Sequence, residues 1–549
     1  MDGRIRLLRV LVLAFFVLIG GRAVALAASS NLDELARQQQ TKVVELPAPR
    51  GAIVDRHGQE LAVGAPQQTV YATPSLIDDP LAAAADLSKA LNITSKKEQR
   101  ALVKTLSDKT SSFAFIARKA DPDLAKAALA LGIPGVGAYM EEERSYPMKG
   151  SAAQVIGLAG MDNNGLSGIE LEYDKELAGV AGSQVVVRDT SERLLRTLEQ
   201  TDPVPGADVR LTLDAEIQYM AEDVLTRTLK SSGAKSAVAV VMNPESGEIL
   251  AMVNAPVVKN HVFGVHPETE DNMVTNDLYE PGSIFKMVTI SGALADGTVS
   301  SDDTFTLAPS IRVADRVINE SHERGTVTYS LAEILQWSSN VGAVTIAQMM
   351  GKAGLYKWIE AFHFGQASGI GFPGESSGIV PSLDQWSDSS IGNIPMGQGI
   401  AVTPLQMATA VCAVANDGVM VAPKLVLQVG DQENQTEAPT RVIPARVAKQ
   451  VRKMLTKAVD AGTGQKAKIA GYKVAGKTGT SEKPLPDGSG YSKYNYVASF
   501  AGMVPADDPK LVVLVAVDSP RSSIYGGDIA APAVREIMSF ALQHLEIAP

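Results

Sequence analysis

Glu280-Pro281-Gly282-Ser283-Ile284-Phe285-Lys286 opens an apolar run that continues through Met287, Val288, Ile290 and Leu294 to Asp296-Gly297. The stretch reads as a helix. Pro281 suits a first turn, where a missing N–H is no loss, and Gly297 suits the stop. Apolar residues on nearly every face place this helix inside a domain. Ser283 and Lys286, three residues apart, share one face. Burial disfavours an ammonium, lowers the lysine pKa and leaves an amine able to take the proton of Ser283. Backbone N–H groups at a helix N-terminus stand ready for a developing oxyanion. The Ser-x-x-Lys spacing alone arises by chance about twice in a chain this long. Ser232-Gly233-Ala234-Lys235 is a second instance, in a glycine-containing connection where nothing would bury the lysine.

Two later segments supply partners. Trp337-Ser338-Ser339-Asn340 falls between helical patterns over 331–335 and 341–350, in a short turn. Ser338 and Asn340 read either as caps of the second helix or as a proton-relaying hydroxyl and an amide that orients Lys286. Gly476-Lys477-Thr478-Gly479-Thr480 ends a run beginning at Gly471 that fits the phosphate-binding pattern G-x-x-x-x-G-K-[ST]. That pattern has meaning only where a helix starts at the lysine. Gly479, Pro484, Pro486, Gly488 and Gly490 follow closely and oppose one. Read instead as an edge strand, the segment lines a groove with Lys477, Thr478 and Thr480, suited to a carboxylate, and Gly479 permits close backbone approach.

The 549 residues leave room for several domains, and the net charge of -11 gives no basic surface for nucleic acid. A single cysteine, Cys412, rules out disulfides within the chain and reads as core packing. The six histidines are scattered without His-x-x-x-His or His-x-His spacing, so no metal site or cofactor is expected. Arg4, Arg6 and Arg9 cluster at the start of a largely apolar stretch over residues 7–28, which also carries Arg22 and is close to the ~20 residues that span a bilayer. The arginines place the N-terminus in the cytoplasm and the remainder outside. A retained anchor is the favoured reading. Ala25-Leu26-Ala27 keeps a removable leader open as the other.

Residues 29–205 mix short strands, turns and charged helices, among them a strand-turn-strand at Pro49 to Ala62 with its turn at His57-Gly58. Helices at 81–91 and 97–106 suggest an inserted lobe, and Arg50, His57 and Glu170 read as a polar network holding irregular backbone. A linker-like Thr201-Asp202-Pro203-Val204-Pro205-Gly206 follows. Beyond it, Asp214 suits the cap of a helix, and a hairpin over 236–254 is expected to join the later strands in a five-stranded antiparallel sheet. A final helix over about 531–545 would cover it.

Ser283-x-x-Lys286, then Ser338-x-Asn340, then Lys477-Thr478-Gly479 is the ordered triple of the penicillin-recognising serine acyltransferases. The chain resembles the class B penicillin-binding proteins also at Pro49 to Ala62, Gly165 to Glu170, Gly206 to Gln218, Gly399 to Gln406 and Tyr496 to Pro532. Ala475 to Thr480 and Gly526 to Pro532 are most similar to the cell-division type. The resemblance implies an α+β fold: a transpeptidase domain over 206–549, a non-catalytic pedestal of the dimerisation type over 29–205, and a cytoplasmic stub with a transmembrane anchor over 1–28. It implies a D,D-transpeptidase making septal peptidoglycan, acylated by beta-lactams, that acts on stem peptides of lipid-linked precursor. Ser283 would be the nucleophile, Lys286 the base and Ser338 the proton relay. Asn340 and Lys477 would hold the site, Thr478, Gly479 and Thr480 would bind substrate, and Thr480 would share the oxyanion hole. The anchor would contact a membrane glycan polymerase of the division machinery. An elongation-type transpeptidase, a serine beta-lactamase and an inactive scaffold remain as alternatives. The lactamase reading lacks a Glu-x-x-Leu-Asn segment, Glu375 reading as a turn residue.

Overall fold

The computed structural model describes residues 2–27, 41–188, 194–262, 264, 271–435, 437–485 and 487–549. The 28/29 boundary lies outside them. Two compact units are formed, one from 1–50 with 178–206, the other from 51–177 with 207–549.

In the first unit a helix runs over Asp2–Ala27. Its Gly3–Ala25 portion has a mean hydropathy of 2.2 and no buried surface. At 1.5 Å per residue that portion is about 35 Å long, enough to cross a hydrocarbon core of about 30 Å. Strands Thr41–Leu46, Gly182–Arg188 and Leu194–Thr201 form an antiparallel sheet with 182–188 in the middle.

The second unit begins with a lobe of three strands, Glu60–Ala72, Ala114–Ala120 and Val136–Ser145, against helices Pro80–Ala90, Lys96–Ser107 and Pro122–Ala130. Val70, Leu87, Leu102 and Leu106 fill its own small core. The helices start where local chemistry dictates: Asp79 accepts from the amides of Leu81 and Ala82 with Pro80 behind it, and Ser95 accepts from that of Glu98.

The network expected of Arg50, His57 and Glu170 takes in other partners: His57 meets Asp214, and Glu170 pairs with Arg144. Arg144 Nε lies 2.7 Å from Glu170 Oε1, and Arg144 Nη1 donates to the carbonyl of Gly51 at 2.8 Å. Both side chains are almost fully buried, at 3% and 0% exposed. Gly168, at φ +57°, opens the short helix bearing Glu170; a Cβ there would lie 2.5 Å from the carbonyl oxygen of Val155. Removing the carboxylate would leave a buried guanidinium without its counter-charge. Glu170→Ala is therefore expected to cost about 3–5 kcal/mol. The measurement is a lowered denaturant midpoint at unchanged slope.

The remainder is built around one sheet. The elements named below are, in chain order, helix α1 (Ala215–Ser232), strands β1 (Ser236–Met242) and β2 (Ile249–Ala255), helices α2 (Lys286–Ala295), α3 (Leu331–Gln336), α4 (Asn340–Ala361) and α5 (Pro404–Ala415), strands β3 (Ala475–Pro484), β4 (Tyr491–Val504) and β5 (Leu511–Asp518), and helix α6 (Gly526–His544). The five strands lie in the order β2-β1-β5-β4-β3, every neighbouring pair antiparallel. Side chains of β1 alternate between two cores. Ala237, Ala239 and Val241 pack with Ile217 and Leu225 of α1 and Val534 and Met538 of α6; Val238, Val240 and Met242 pack toward α2 and α5. Both faces are covered, so β1 and β2 are continuous apolar runs without alternation. Cys412 of α5 is buried in this packing, its Sγ 3.9 Å from Met242 Sδ.

Helix α6 starts at Gly526, earlier than the expected 531, with Pro532 inside it. Tertiary contact overrides the local signal. A Cβ at Gly526 would lie 2.0 Å from the carbonyl oxygen of Ser499, so glycine lets the first turn close onto β4 beside β3.

Candidate active site

Ser283 does not stand in an α-helix. Gly282–Phe285 form a 3₁₀ turn and α2 begins at Lys286. The tighter turn eclipses side chains three residues apart, which brings Ser283 and Lys286 to one side. Ile284 and Phe285, fully buried, each contribute about 1.5–3 kcal/mol and pin the turn. Gly282 adopts φ +56°, and its N–H donates to the carbonyl of Gly397 at 3.0 Å. A Cβ at Gly397, itself at φ +80°, would lie 2.2 Å from the Gly282 carbonyl oxygen.

Lys286 is fully buried. Its Nζ donates to the Ser338 carbonyl at 2.6 Å and to Asn340 Oδ1 at 2.7 Å, and lies 3.3 Å from Ser338 Oγ. Burial pushes its pKa down to about 7, opposed in part by the negative charge of Glu320. Near neutrality a large fraction of Lys286 is thus the free amine, able to take a hydroxyl proton.

In the turn between α3 and α4, neither Ser338 nor Asn340 caps the second helix. The helix cap is Ser339, whose Oγ accepts from the Gly342 amide at 3.0 Å. Ser338 and Asn340 are left to face Lys286. Ser338 holds a left-handed φ of +59°, a conformation that costs about 1–3 kcal/mol in a residue with a Cβ. Glu320 anchors the turn: Ser339 Oγ donates to its Oε1 at 2.6 Å and the Asn340 N–H to its Oε2 at 2.7 Å, while Arg324 pairs with the same carboxylate. The Asn340 amide nitrogen donates to the Asn319 carbonyl at 2.9 Å. Glu320 and Ser339 were missed in the sequence; a capping serine three residues before Gly342 was the one available hint.

Strand β3 is the edge strand expected for Val474 to Thr480. Lys477 lies within this strand, so the phosphate-loop pattern lacks the helix start it requires. Lys477 is 2% exposed, with Nζ 3.1 Å from the Thr478 carbonyl and 3.2 Å from Thr478 Oγ1. Burial, and next the charge of Lys286, lower its pKa well below the ordinary lysine value. Thr478 Oγ1 also meets Thr463 Oγ1 at 2.8 Å, and Thr480 Oγ1 accepts from the Gly526 amide at 3.3 Å. Gly479 is required by proximity: a Cβ would lie 2.3 Å from Ser499 Oγ and 3.0 Å from the Pro281 carbonyl oxygen.

Ser283, Ser338, Asn340, Thr478 and Thr480 line one cleft of about 960 Å³, roofed in part by His322 stacked on Tyr525 at 5.4 Å. The two lysines lie behind its wall. A half-buried serine, a second hydroxyl and a strand edge thus meet in one cleft, with the Lys286 amine directly behind them. The second Ser-x-x-Lys forms nothing comparable. Ser232 ends α1 with its Oγ donating to the Thr228 carbonyl at 2.6 Å.

Residues 237–539 match the penicillin-binding protein transpeptidase domain, and residues 45–211 the penicillin-binding protein dimerisation domain. The chain is 33% identical to stage V sporulation protein D of Bacillus subtilis, over 94% of this chain and 82% of that protein. It is 31% identical to the peptidoglycan D,D-transpeptidase FtsI of Escherichia coli K12, over 92% and 86%. The crystal structure of penicillin-binding protein 3 from Mycobacterium tuberculosis complexed with aztreonam superposes with a TM-score of 0.73 at 29% identity, over 92% of this chain and 98% of that one.

Proposed function

The chain belongs to the class B penicillin-binding proteins, the peptidoglycan D,D-transpeptidases, and from that premise we propose that it cross-links stem peptides through an acyl-enzyme on Ser283. Lys286 takes the Ser283 proton as Oγ attacks the carbonyl of the penultimate D-Ala. The oxyanion is held by the backbone N–H groups of Ser283 and Thr480. Ser338 Oγ, 3.3 Å from Lys286 Nζ, hands the proton to the departing D-Ala. A side-chain amine of a neighbouring stem then attacks the ester, forming the amide cross-link and freeing Ser283. The hydroxyls of Thr478 and Thr480 bind the terminal carboxylate, and Lys477, behind the wall with Nζ 3.2 Å from Thr478 Oγ1, holds the site together. Asn340 orients Lys286. A beta-lactam carbonyl enters the same attack and leaves a covalent adduct.

The observation that carries this reading is the buried Lys286 amine, held by Ser338 and Asn340 with its pKa pushed down to about 7. We assign residues 206–549 to the transpeptidase domain, 29–205 to the pedestal, and 1–28 to the cytoplasmic stub and anchor. The chain is single-pass, with its catalytic part outside the cytoplasm. The resemblance of Ala475 to Thr480 and Gly526 to Pro532 to the cell-division type favours work at the division septum, with a membrane glycan polymerase as partner.

The test is full-length protein in detergent, given a D-Ala-D-Ala-terminated stem peptide and an amine-bearing acceptor stem. Release of D-Ala matched by cross-linked product is expected. Rapid penicillin turnover without cross-linking would make it a lactamase, and folded protein inert to both would make it a scaffold. A fluorescent fusion spread along the side wall, with none at midcell, would replace the septal assignment by the elongation type.

A further inference from the structure

We propose that His57, Asp214 and His544 form a binding site for one divalent transition-metal ion, with a donor set suited to Zn²⁺. The three residues come from distant parts of the chain. His57 lies at the turn between strands Ile53–Val54 and Glu60–Ala72, Asp214 caps α1, and His544 is the last residue of α6. Both imidazoles aim Nε2 at the same carboxylate oxygen, Asp214 Oδ2, at 3.2 and 3.0 Å. All three donor atoms lie within 4.8 Å of one another.

Two of the three donor–donor separations suit a small tetrahedral ion. Zinc bonds of about 2.0–2.1 Å place neighbouring ligand atoms about 3.3 Å apart, which matches the two nitrogen–oxygen distances. Asp214 cannot turn away, because its Oδ1 accepts from the amides of Glu216 and Ile217, both at 3.1 Å. His544 is steered from both sides. Phe540 stacks on its ring at 5.6 Å with 9° between planes, and Glu216 Oε2 lies 3.4 Å from its Nδ1. A carboxylate beside Nδ1 favours the tautomer protonated there, which turns the Nε2 lone pair toward the ion. His57 remains 64% exposed, leaving a route from solvent and room for water as fourth ligand.

Two nitrogens and one oxygen favour Zn²⁺ over Ca²⁺ and Mg²⁺, which take all-oxygen ligand sets. On binding, any proton on an Nε2 leaves to solvent while Nδ1 carries the ring N–H, and both Nε2 atoms and Oδ2 donate lone pairs to the metal. None of the three residues belongs to the Ser283 cleft. The ion would clasp the 53–62 hairpin to α1 and to the end of α6, and by mass action stabilise the folded chain. Without metal, the same atoms are two imidazole donors on one carboxylate oxygen.

Full-length protein, stripped with chelator and titrated with ZnCl₂ alone, separates the two. Saturation at one Zn²⁺ per chain, a raised melting temperature, and at least tenfold weaker binding in both His57→Ala and His544→Ala are expected. Penicillin labelling of both variants should equal that of the parent, which certifies their fold. Co²⁺ in place of Zn²⁺ should show tetrahedral absorption bands that neither variant gives. No saturable binding up to millimolar metal, or equal affinity in parent and variants, overturns the site and leaves the hydrogen-bonded cluster.

Discussion

Ser283→Ala is expected to abolish covalent labelling of the full-length protein by fluorescent penicillin and to lower transpeptidation by roughly 10⁴-fold or more, the scale seen when an enzyme loses its nucleophile. The loss follows from geometry. Ser283 is half-buried in a cleft whose wall carries Lys286, Ser338 and Asn340, and no other hydroxyl there begins a 3₁₀ turn with a buried lysine three residues on. Ser338 cannot substitute. It lies 3.3 Å from Lys286 Nζ but belongs to a turn whose left-handed backbone and capping bonds hold it to one side of the cleft. The companion Ser232→Ala should label as the parent does, since that hydroxyl is spent on the Thr228 carbonyl and is 3% exposed. The Ser283→Ala melt should change little, because the missing oxygen is at the surface of the cleft while Ile284 and Phe285 hold the turn. An adduct persisting on Ser283→Ala would displace the nucleophile assignment.

The second large effect is on pH. Lys286 acts as base only as the free amine, and burial lowers its pKa from 10.5 to about 7. The acylation rate constant should therefore rise about tenfold per pH unit below 7 and level off above it. An unshifted lysine would still be rising at pH 9. Lys286→Arg should flatten the profile and nearly eliminate the rate, since a guanidinium does not deprotonate in this range. The same shift has a consequence for stability with a definite sign. Between about pH 7 and 10.5 the unfolded chain binds a proton at this lysine that the folded chain has released, so stability rises with pH through that window. Well below pH 7 the buried ammonium costs the fold on the order of 5 kcal/mol. Stopped-flow acylation and denaturant melts across pH 6 to 9 read the two effects separately.

Local chemistry was enough for much of this molecule. The β1–β2 hairpin shows in the sequence because its strands are covered on both faces and their apolar runs are unbroken, with Pro244 to Gly247 between them. Asp214, Asp79 and Ser95 announce helix starts because a cap acts over two or three residues. The order Ser283-Lys286, Ser338-Asn340, Lys477-Thr478-Gly479 identified the family because each pair or triple lies within one turn or one strand, where spacing dictates side-chain direction.

Tertiary structure alone decided the rest. That Ser339 rather than Ser338 or Asn340 caps α4 depends on Glu320, which receives both Ser339 Oγ and the Asn340 amide from across a loop. That α6 begins at Gly526 depends on the backbone of Ser499 lying where any Cβ would collide. That two scattered histidines meet on Asp214 depends on the turn at 57 and the end of α6 converging on the cap of α1. The depressed pKa of Lys286 needs the whole helical core around α2, since desolvation is set by every atom that excludes water and not by the neighbours in the chain. Capping, turning and strand alternation act between residues a few positions apart and leave their pattern in the sequence; burial, collision and the pairing of remote charges act through space and leave none.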